Sequence, residues 1–385
     1  MPGQERFLTR HFPASAHSGS RLELVDRVDE SERRPMCQQS NRILDHHGVR
    51  PYGPPDRGLA NRPRTTIARD STGQNDGVRI AVVFPGQGTQ VPAMGSPWKA
   101  HPAWRTVDEA ETALGEPLAH LILDADAETL GRTRNAQLAV LLTSLIAWAG
   151  AKAELEAQHN LVAFAGHSLG QVTALVAAGV LSLSDGVRFA ARRAELTQAA
   201  ADTHPGRMAA LLGATPEQAH EACLTATDSA WVANDNAPGQ IVIAGTPEGV
   251  ERAIAAAKDL GVKRAMALPV GGAFHTPLMR GAYDGLAAAL SDVVLRTPTA
   301  PVVSNADAIA YADGDGWRER LPLHPLVPVR WRSSMLTLAA APIEAAGFVE
   351  IGHGSMIAGV AKRTVSGIGV TGIETPDDID RLTSM

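Results

Sequence analysis

The sequence predicts an α/β protein with a mainly parallel sheet and a small inserted βαββαβ unit. Three observations predict it. Buried-strand patterns alternate with helical patterns along most of the chain, the middle of the chain has the element order of a split βαβ unit, and a glycine-flanked serine stands where a strand gives way to a helix. Parallel strands need long crossover connections, so helices between strands are the expected arrangement.

The bulk composition sets the protein class. The chain has 385 residues, is 44% hydrophobic and carries a net charge of −6, which is enough for one large domain with an insertion and argues against a nucleic-acid partner. Its two cysteines, Cys37 and Cys223, are far apart and predict neither a disulfide framework nor a metal site. The most apolar run, 138–151, is too short for a bilayer, and no secretory signal leads the chain. We therefore expect a cytoplasmic protein with no membrane partner.

Residues 1–77 differ from the remainder of the chain. They contain 12 arginines, no lysine and 10 acidic residues, with no periodicity of 2 or 3.6. This composition predicts a largely disordered N-terminal extension, and its acidic residues argue against a mitochondrial presequence.

Ordered structure is expected to start with the β-branched run VRIAVVF. The elements predicted before the insertion are strands at 78–84 and 161–165 and helices near 103–115, 135–151, 169–179 and 185–201. Residues 206–269 have the order β-α-β-β-α-β and predict a ferredoxin-like small subdomain. Residues 78–205 and 270–385 are then the large subdomain, whose second part is predicted to contain a helix at 276–291 and strands at 301–306 and 347–352.

The stretch AGHSLGQ places Ser168 between Gly166 and Gly170, after an apolar strand and before a helix-prone run. A G-x-S-x-G turn at such a junction exposes the serine oxygen at a helix N-terminus, where free N–H groups favour developing negative charge. We interpret Ser168 as a nucleophile. The alternative is a glycine-rich turn with a capping serine.

The residues alone do not choose a base or a substrate-binding group. Nine histidines follow residue 77, and spacing does not distinguish among them. Arg188, Arg192 and Arg193 share one predicted helix, and most helical arginines are solvated. His167 adjoins Ser168, but neighbouring side chains on a tight turn point apart, so it is expected to brace the turn.

Four stretches in this order, FPGQGTQ (84–90), GHSLGQ (166–171), Arg193 in its helix and GAFHTPLM (272–279), resemble the malonyl-CoA:acyl carrier protein transacylase family. This family includes the acyltransferase domains of fatty acid and polyketide synthases. The resemblance covers roughly residues 78–372 and extends to NAPGQIVIAG (236–245). It implies an α/β-hydrolase-like large subdomain around the ferredoxin-like insertion.

The resemblance also implies site residues. Ser168 would be the nucleophile, His275 its general base, and the backbone N–H groups of Gln87 and Leu169 the oxyanion hole. Arg193 would bind the free carboxylate of a malonyl group.

Three further positions follow from the same resemblance. Phe274 would favour malonyl over methylmalonyl groups, and Gln90 and Asn236 would line or support the site. The expected partners are malonyl-CoA and an acyl carrier protein bearing a phosphopantetheine thiol, and no metal or redox cofactor is implied.

The match departs from the family in places. Arg330 stands where a glutamine usually contributes the backbone carbonyl that orients the catalytic histidine. Gln171 replaces a common glutamate, and GHG (352–354) replaces GPG. Two other functions remain open: a serine hydrolase or thioesterase acting on acyl-CoA, and a non-catalytic domain that only docks a carrier protein. Arg193 argues against the first, because a simple esterase has no need of that arginine, and the intact motif residues argue against the second.

Overall fold

The computed structural model describes residues 77–384. The predicted disordered extension, residues 1–77, therefore lies outside the described residues except for its last position. In this part of the chain the strands are β1 (Arg79–Phe84), β2 (Asn160–Gly166), β3 (Arg207–Leu212), β4 (Ala230–Ala237), β5 (Gln240–Gly245), β6 (Arg264–Ala267), β7 (Val302–Val303), β8 (Ala310–Tyr311), β9 (Gly347–Ile351) and β10 (Gly369–Ile373).

The α-helices connect these strands and cover the sheets. They are α1 (Arg105–Leu114), α2 (Ala119–Leu123), α3 (Ala127–Gly131), α4 (Thr133–Gln158), α5 (Gly170–Ala177), α6 (Leu183–Thr203), α7 (Pro216–Leu224), α8 (Pro247–Asp259), α9 (Tyr283–Ala289), α10 (Trp317–Leu323), α11 (Trp331–Ala339) and α12 (Met356–Thr364).

The large sheet has the strand order β10-β9-β1-β2-β7-β8 and is parallel except for the β7–β8 pair. Strand β1 is fully buried from Ile80 to Phe84, as expected for a strand covered on both faces. Ile80, Val82 and Phe84 enter one apolar core, while Ala81 and Val83 enter another, because successive side chains point to opposite faces. The sheet therefore lies between two helical layers, and the predicted α/β class is confirmed.

Helix α4 is the longest helix of the described residues and extends well beyond the predicted 135–151. By length and hydropathy alone it is long enough to cross a membrane, but 72% of its most apolar window is buried within the protein. Leu138, Leu141, Leu145 and Ile146 pack in the same core as β1. The helix is apolar because it is surrounded by protein on most sides.

The inserted unit forms a second sheet with the order β4-β5-β3-β6, in which all neighbours are antiparallel. Helices α7 and α8 pack on one face of this sheet around a separate apolar cluster that includes Leu211, Ile241 and Ile243. This is the ferredoxin-like arrangement predicted from the element order. The boundaries drawn at residues 205 and 270 stay a prediction.

A short segment of the large subdomain pairs with the small sheet. Val329 pairs with the middle of β4 through two backbone hydrogen bonds of 2.9 Å. Beside it, Arg332 of α11 makes hydrogen bonds of 2.7–3.0 Å to the buried carboxylate of Asp235 in β4. A buried carboxylate needs such a partner, so this ion pair ties the insertion to helix α11 of the large subdomain.

Two predicted elements of the second half are shorter than expected. Residues 276–291 form a 3-10 turn at Pro277–Ala282 followed by the short helix α9. Pro277 lacks the N–H that a helix interior needs, which suits it to the first position of a turn. The predicted strand 301–306 is reduced to Val302–Val303, and the chain then leaves the sheet at Ser304.

Candidate active site

The glycine-flanked serine lies on a sharp turn between β2 and α5. Ser168 has φ = +51°, a left-handed conformation that is unusual for a residue other than glycine. A Cβ atom at Gly166 would lie 1.9 Å from the carbonyl oxygen of Gly170, and one at Gly170 would lie 2.4 Å from that of Phe84. The two glycines are required because backbone segments approach too closely for any side chain.

Ser168 and His275 form a hydrogen-bonded pair. The distance between Ser168 Oγ and His275 Nε2 is 2.8 Å. On the other side of the ring, His275 Nδ1 lies 3.0 Å from the carbonyl oxygen of His324 and 3.2 Å from that of Val327. Carbonyl oxygens only accept, so Nδ1 carries the proton and Nε2 presents its lone pair to the serine hydroxyl. The pair has the geometry of a nucleophile and its general base.

The backbone carbonyls that orient His275 are not the one that was predicted. The sequence resemblance assigned that role to the backbone of Arg330, but the carbonyls near Nδ1 are those of His324 and Val327. The Arg330 carbonyl instead accepts hydrogen bonds from the backbone and hydroxyl of Ser334 in α11. It is engaged in the first turn of that helix, which is why it does not serve the imidazole.

The imidazole of His275 is a weak base in the free protein. It is 4% exposed, and burial followed by the nearby charge of Arg193 lowers its pKa to about 3. Both effects disfavour the protonated ring. His275 is therefore neutral, and able to accept a proton, across the physiological range.

This gives a testable pH profile. Because kcat/KM reports the ionisation of the free enzyme, its rise with pH is expected to be complete below pH 6, and the value to stay flat between pH 6 and 8. Steady-state rates across that range in buffers of constant ionic strength would measure it. An inflection near 6.5, the value of an unperturbed histidine, would contradict the expectation.

Arg193 of α6 reaches the nucleophile from the protein interior. Its side chain is 4% exposed, and Nη2 donates a 3.2 Å hydrogen bond to Ser168 Oγ. Nη1 donates a 2.5 Å hydrogen bond to Gln137 Oε1 of α4, and burial lowers the guanidinium pKa to about 10. The group therefore remains charged at neutral pH, and no carboxylate of the described residues pairs with it. A buried, unneutralised guanidinium beside a nucleophile is suited to bind an anionic substrate group.

The segment after β1 lies against the serine turn. A Cβ atom at Gly86 would lie 2.4 Å from the carbonyl oxygen of His167, and Gly88, with φ = +113°, donates its N–H to Gln90 Oε1 at 2.7 Å. Gln90 thus closes the turn that presents Gln87. The backbone N–H groups of Gln87 and Leu169 form no hydrogen bond within the described residues. Their oxyanion-hole role stays a prediction.

The remaining predicted residues support the site from outside. Asn236 Oδ1 lies 2.8 Å from Nε2 of the buried His167, whose ring meets Trp331 edge-on, so His167 braces the turn as predicted. Phe274 is half-buried next to His275 and packs between two apolar clusters. Its influence on acyl selection stays a prediction.

Sequence reasoning missed three polar residues of this site. Gln137 could have been noticed as a polar residue within the apolar run of α4, and Asn305 as a residue beyond the carboxyl end of a strand, where α/β sheets bind ligands. His324 had no distinguishing signal. Within residues 77–384, no group of three or more His, Cys, Asp and Glu is arranged to hold a metal ion.

Residues 81–375 match the family described as the acyl transferase domain. The chain belongs to the acyl transferase family. The malonyl CoA-acyl carrier protein transacylase of Escherichia coli K12 is 38% identical over 307 residues, which cover 77% of this chain and 96% of that protein. The Bacillus subtilis 168 protein of the same name is 37% identical, with 78% and 95% covered.

Solved structures of acyltransferases have the same fold. The acyl-carrier-protein S-malonyltransferase of Burkholderia pseudomallei superposes with a TM-score of 0.75 at 34% identity, covering 80% of this chain and all of that one. A malonyl-transacylase solved in complex with a type II polyketide synthase acyl carrier protein superposes with a TM-score of 0.74 at 32% identity, covering 80% and 99%. The predicted family resemblance is confirmed.

Proposed function

We propose that this acyltransferase moves a malonyl group from malonyl-CoA to the phosphopantetheine thiol of an acyl carrier protein through an acyl-serine intermediate. The observation that carries the proposal is the buried guanidinium of Arg193, whose Nη2 lies 3.2 Å from Ser168 Oγ. A thioester whose carbonyl is attacked by Ser168 would place the free carboxylate of a malonyl group within reach of this charge. An uncharged acyl chain would leave the charge without a partner, which is costly in a buried site.

The first half-reaction acylates the serine. His275 Nε2 accepts the Ser168 hydroxyl proton as Oγ attacks the thioester carbonyl, and the N–H groups of Gln87 and Leu169 stabilise the oxyanion. The carbon–sulfur bond then breaks, and the proton on His275 passes to the departing CoA thiolate. The products are a malonyl-serine ester and free CoA.

The second half-reaction repeats these steps with the carrier. The phosphopantetheine thiol gives its proton to His275 and attacks the ester carbonyl, and the proton returns to Ser168 Oγ as the ester bond breaks. Arg193 holds the malonyl carboxylate through both halves. The chemistry needs no redox group or metal, and we place the enzyme in the cytoplasm with its substrates.

The partner is taken from the relatives. Those described above are named for transfer to or from an acyl carrier protein, and one was solved bound to such a carrier. Exposed Lys263, Arg264, Lys362 and Arg363 are candidates for contact with the acidic carrier surface.

The hydrolase alternative is less well supported. In a Ser–His–Asp triad a carboxylate accepts the Nδ1 proton and stabilises the imidazolium. Here the acceptors are the neutral carbonyls of His324 and Val327. A carrier-docking domain without catalysis is also disfavoured, because such a domain would not need Ser168 and His275 to be 2.8 Å apart.

The proposal is tested by the intact mass of the protein after brief mixing with malonyl-CoA or acetyl-CoA. We expect a malonyl adduct on the wild type, no adduct on Ser168→Ala, and much slower or no adduct formation from acetyl-CoA. Ser304→Ala is a matched control, since Ser304 is another buried serine, whose hydroxyl accepts a hydrogen bond from the Ala306 N–H. An adduct that still forms on Ser168→Ala would show that Ser168 is not the nucleophile. Equal adducts from both donors would remove the role of Arg193 as selector.

A further inference from the structure

Besides their direct hydrogen bond, the nucleophile and the base are connected by a second chain of hydrogen bonds, in which no proton of the acyl-transfer steps moves. Ser168 donates its backbone N–H to Asn305 Oδ1 at 2.8 Å, and the same oxygen lies 3.1 Å from His324 Nε2. The carbonyl oxygen of His324 lies 3.0 Å from His275 Nδ1, and His275 Nε2 lies 2.8 Å from Ser168 Oγ. Four hydrogen bonds thus form a closed ring through four residues.

Each donor in this ring can be assigned. Because the Ser168 N–H can only donate, the Asn305 atom facing it is the carbonyl oxygen, and its Nδ2 donates to the Gly166 carbonyl at 2.8 Å. His324 Nε2 must then be the N–H that donates to Asn305 Oδ1. Burial, together with the charge of Arg193, lowers the pKa of His324, so its imidazole is neutral and carries one proton, on Nε2.

Asn305 is itself fixed on all sides. It is 1% exposed, its backbone N–H donates to Gln171 Oε1 at 3.0 Å, and its carbonyl accepts from the Arg330 N–H at 2.9 Å. His324 is 4% exposed and begins a short 3-10 turn after α10. Both residues are buried, so bulk water competes little for their hydrogen bonds.

The ring holds two strained residues. Ser168 has φ = +51° and His275 has φ = +63°, and side-chain-bearing residues keep such values only where surrounding contacts enforce them. The backbone N–H of Ser168 is bound by Asn305, and that of His275 donates to the Pro325 carbonyl at 2.8 Å, one residue after His324. The backbone at His324 and Pro325 therefore binds the base, His275. The His324 imidazole binds Asn305, and Asn305 in turn binds the backbone of the nucleophile, Ser168.

We propose that His324 and Asn305 are positioning residues that set the separation of Ser168 Oγ and His275 Nε2. The inference rests on the proposed acyl transfer at Ser168, but it concerns the reactivity of the pair with any electrophile. His324 is the connecting residue, because its side chain and its backbone carbonyl are used on the two sides of the ring. A misplacement of about 1 Å at a reacting pair costs on the order of 100-fold in rate, so loss of the His324 ring bond should lower kcat.

The test compares His324→Leu with His324→Gln. Leucine has no donor for Asn305 Oδ1, whereas the Gln amide nitrogen can donate from near the position of Nε2. Ser304→Ala is the control, since this buried neighbour lies outside the ring. For each protein, kcat and KM for malonyl-CoA are measured together with the rate of inactivation by a fluorophosphonate, which reports the reactivity of Ser168 without a malonyl group.

We expect His324→Leu to lower kcat and the fluorophosphonate rate in parallel, by roughly 30- to 100-fold, with KM changed less than about threefold. His324→Gln should recover both rates to within about fivefold of the wild type, and Ser304→Ala should leave them unchanged. Circular dichroism melts show whether each variant is folded at the assay temperature. If His324→Leu is not folded, Asn305→Ala breaks the same ring from its other side and should give the same parallel loss.

The proposal is overturned if the leucine variant melts lower but keeps wild-type rates when folded, or if glutamine restores nothing. A wild-type protein that reacts with the fluorophosphonate but not with malonyl-CoA would refute the proposed function. In that case the rates of fluorophosphonate inactivation of the His324 variants would still test the hydrogen-bond ring.

Discussion

Replacing His275 with alanine is expected to lower the rate of malonyl transfer by about 10⁴-fold, the upper part of the range for general acid–base catalysis. The serine hydroxyl is a poor nucleophile unless its proton is removed as it attacks, and His275 Nε2 is the acceptor 2.8 Å from Oγ. When the carbon–sulfur bond breaks, His275 passes the same proton to the departing thiolate. Both half-reactions lose this transfer in the variant.

The measurement is the burst of CoA release on mixing the variant with malonyl-CoA, which isolates acylation from transfer to the carrier. KM should change little, because His275 contributes to the transition state more than to binding. His120→Ala is the control, since His120 is exposed on α2. A His275→Ala variant that keeps more than a tenth of the wild-type burst rate would show that another group is the base.

Replacing Arg193 with alanine is expected to reverse the donor preference. Truncating one partner of a buried charge pair costs about 2–5 kcal/mol, which corresponds to a loss of malonyl transfer of roughly 30- to 5,000-fold. Transfer of acetyl groups should be retained or improved. A second, smaller effect favours acetyl transfer in this variant. The Arg193 charge lowers the pKa of His275, so its removal makes His275 a stronger base.

The measurement is kcat/KM for malonyl-CoA and for acetyl-CoA with Arg193→Ala and with Arg192→Ala. Arg192 is the neighbour on α6, but its side chain is half-exposed and pairs with Glu195, so its loss should change neither value by more than about twofold. Equal losses for both donors in Arg193→Ala would refute the assigned role. They would indicate that Arg193 acts mainly by positioning Ser168 Oγ through its 3.2 Å hydrogen bond, and not by binding the malonyl carboxylate.

Most of the architecture was predictable because it rests on local patterns. The β-branched run of β1, the Thr-capped helices α7 and α8, and the alternation of strands and helices follow from side-chain chemistry over a few residues. The glycines around Ser168 were predictable for the same reason, since a tight turn needs them within five positions. The weak predictions, 276–291 and 301–306, lie where prolines and loops interrupt those patterns.

The sequence by itself determined the α/β class, the position of the nucleophile and, through the order of its motifs, the family. Only the tertiary structure decided which groups complete the site. Three separate segments contribute these groups, and each binds a partner far away in the chain. Gln137 is 56 residues from Arg193, Asn305 is 137 from Ser168, and His324 is 49 from His275. Hydrogen bonds of this kind depend on how helices and loops pack, and a local pattern contains no information about that packing. The same reason explains why the carbonyl that orients His275 was predicted at Arg330 and found at His324 and Val327.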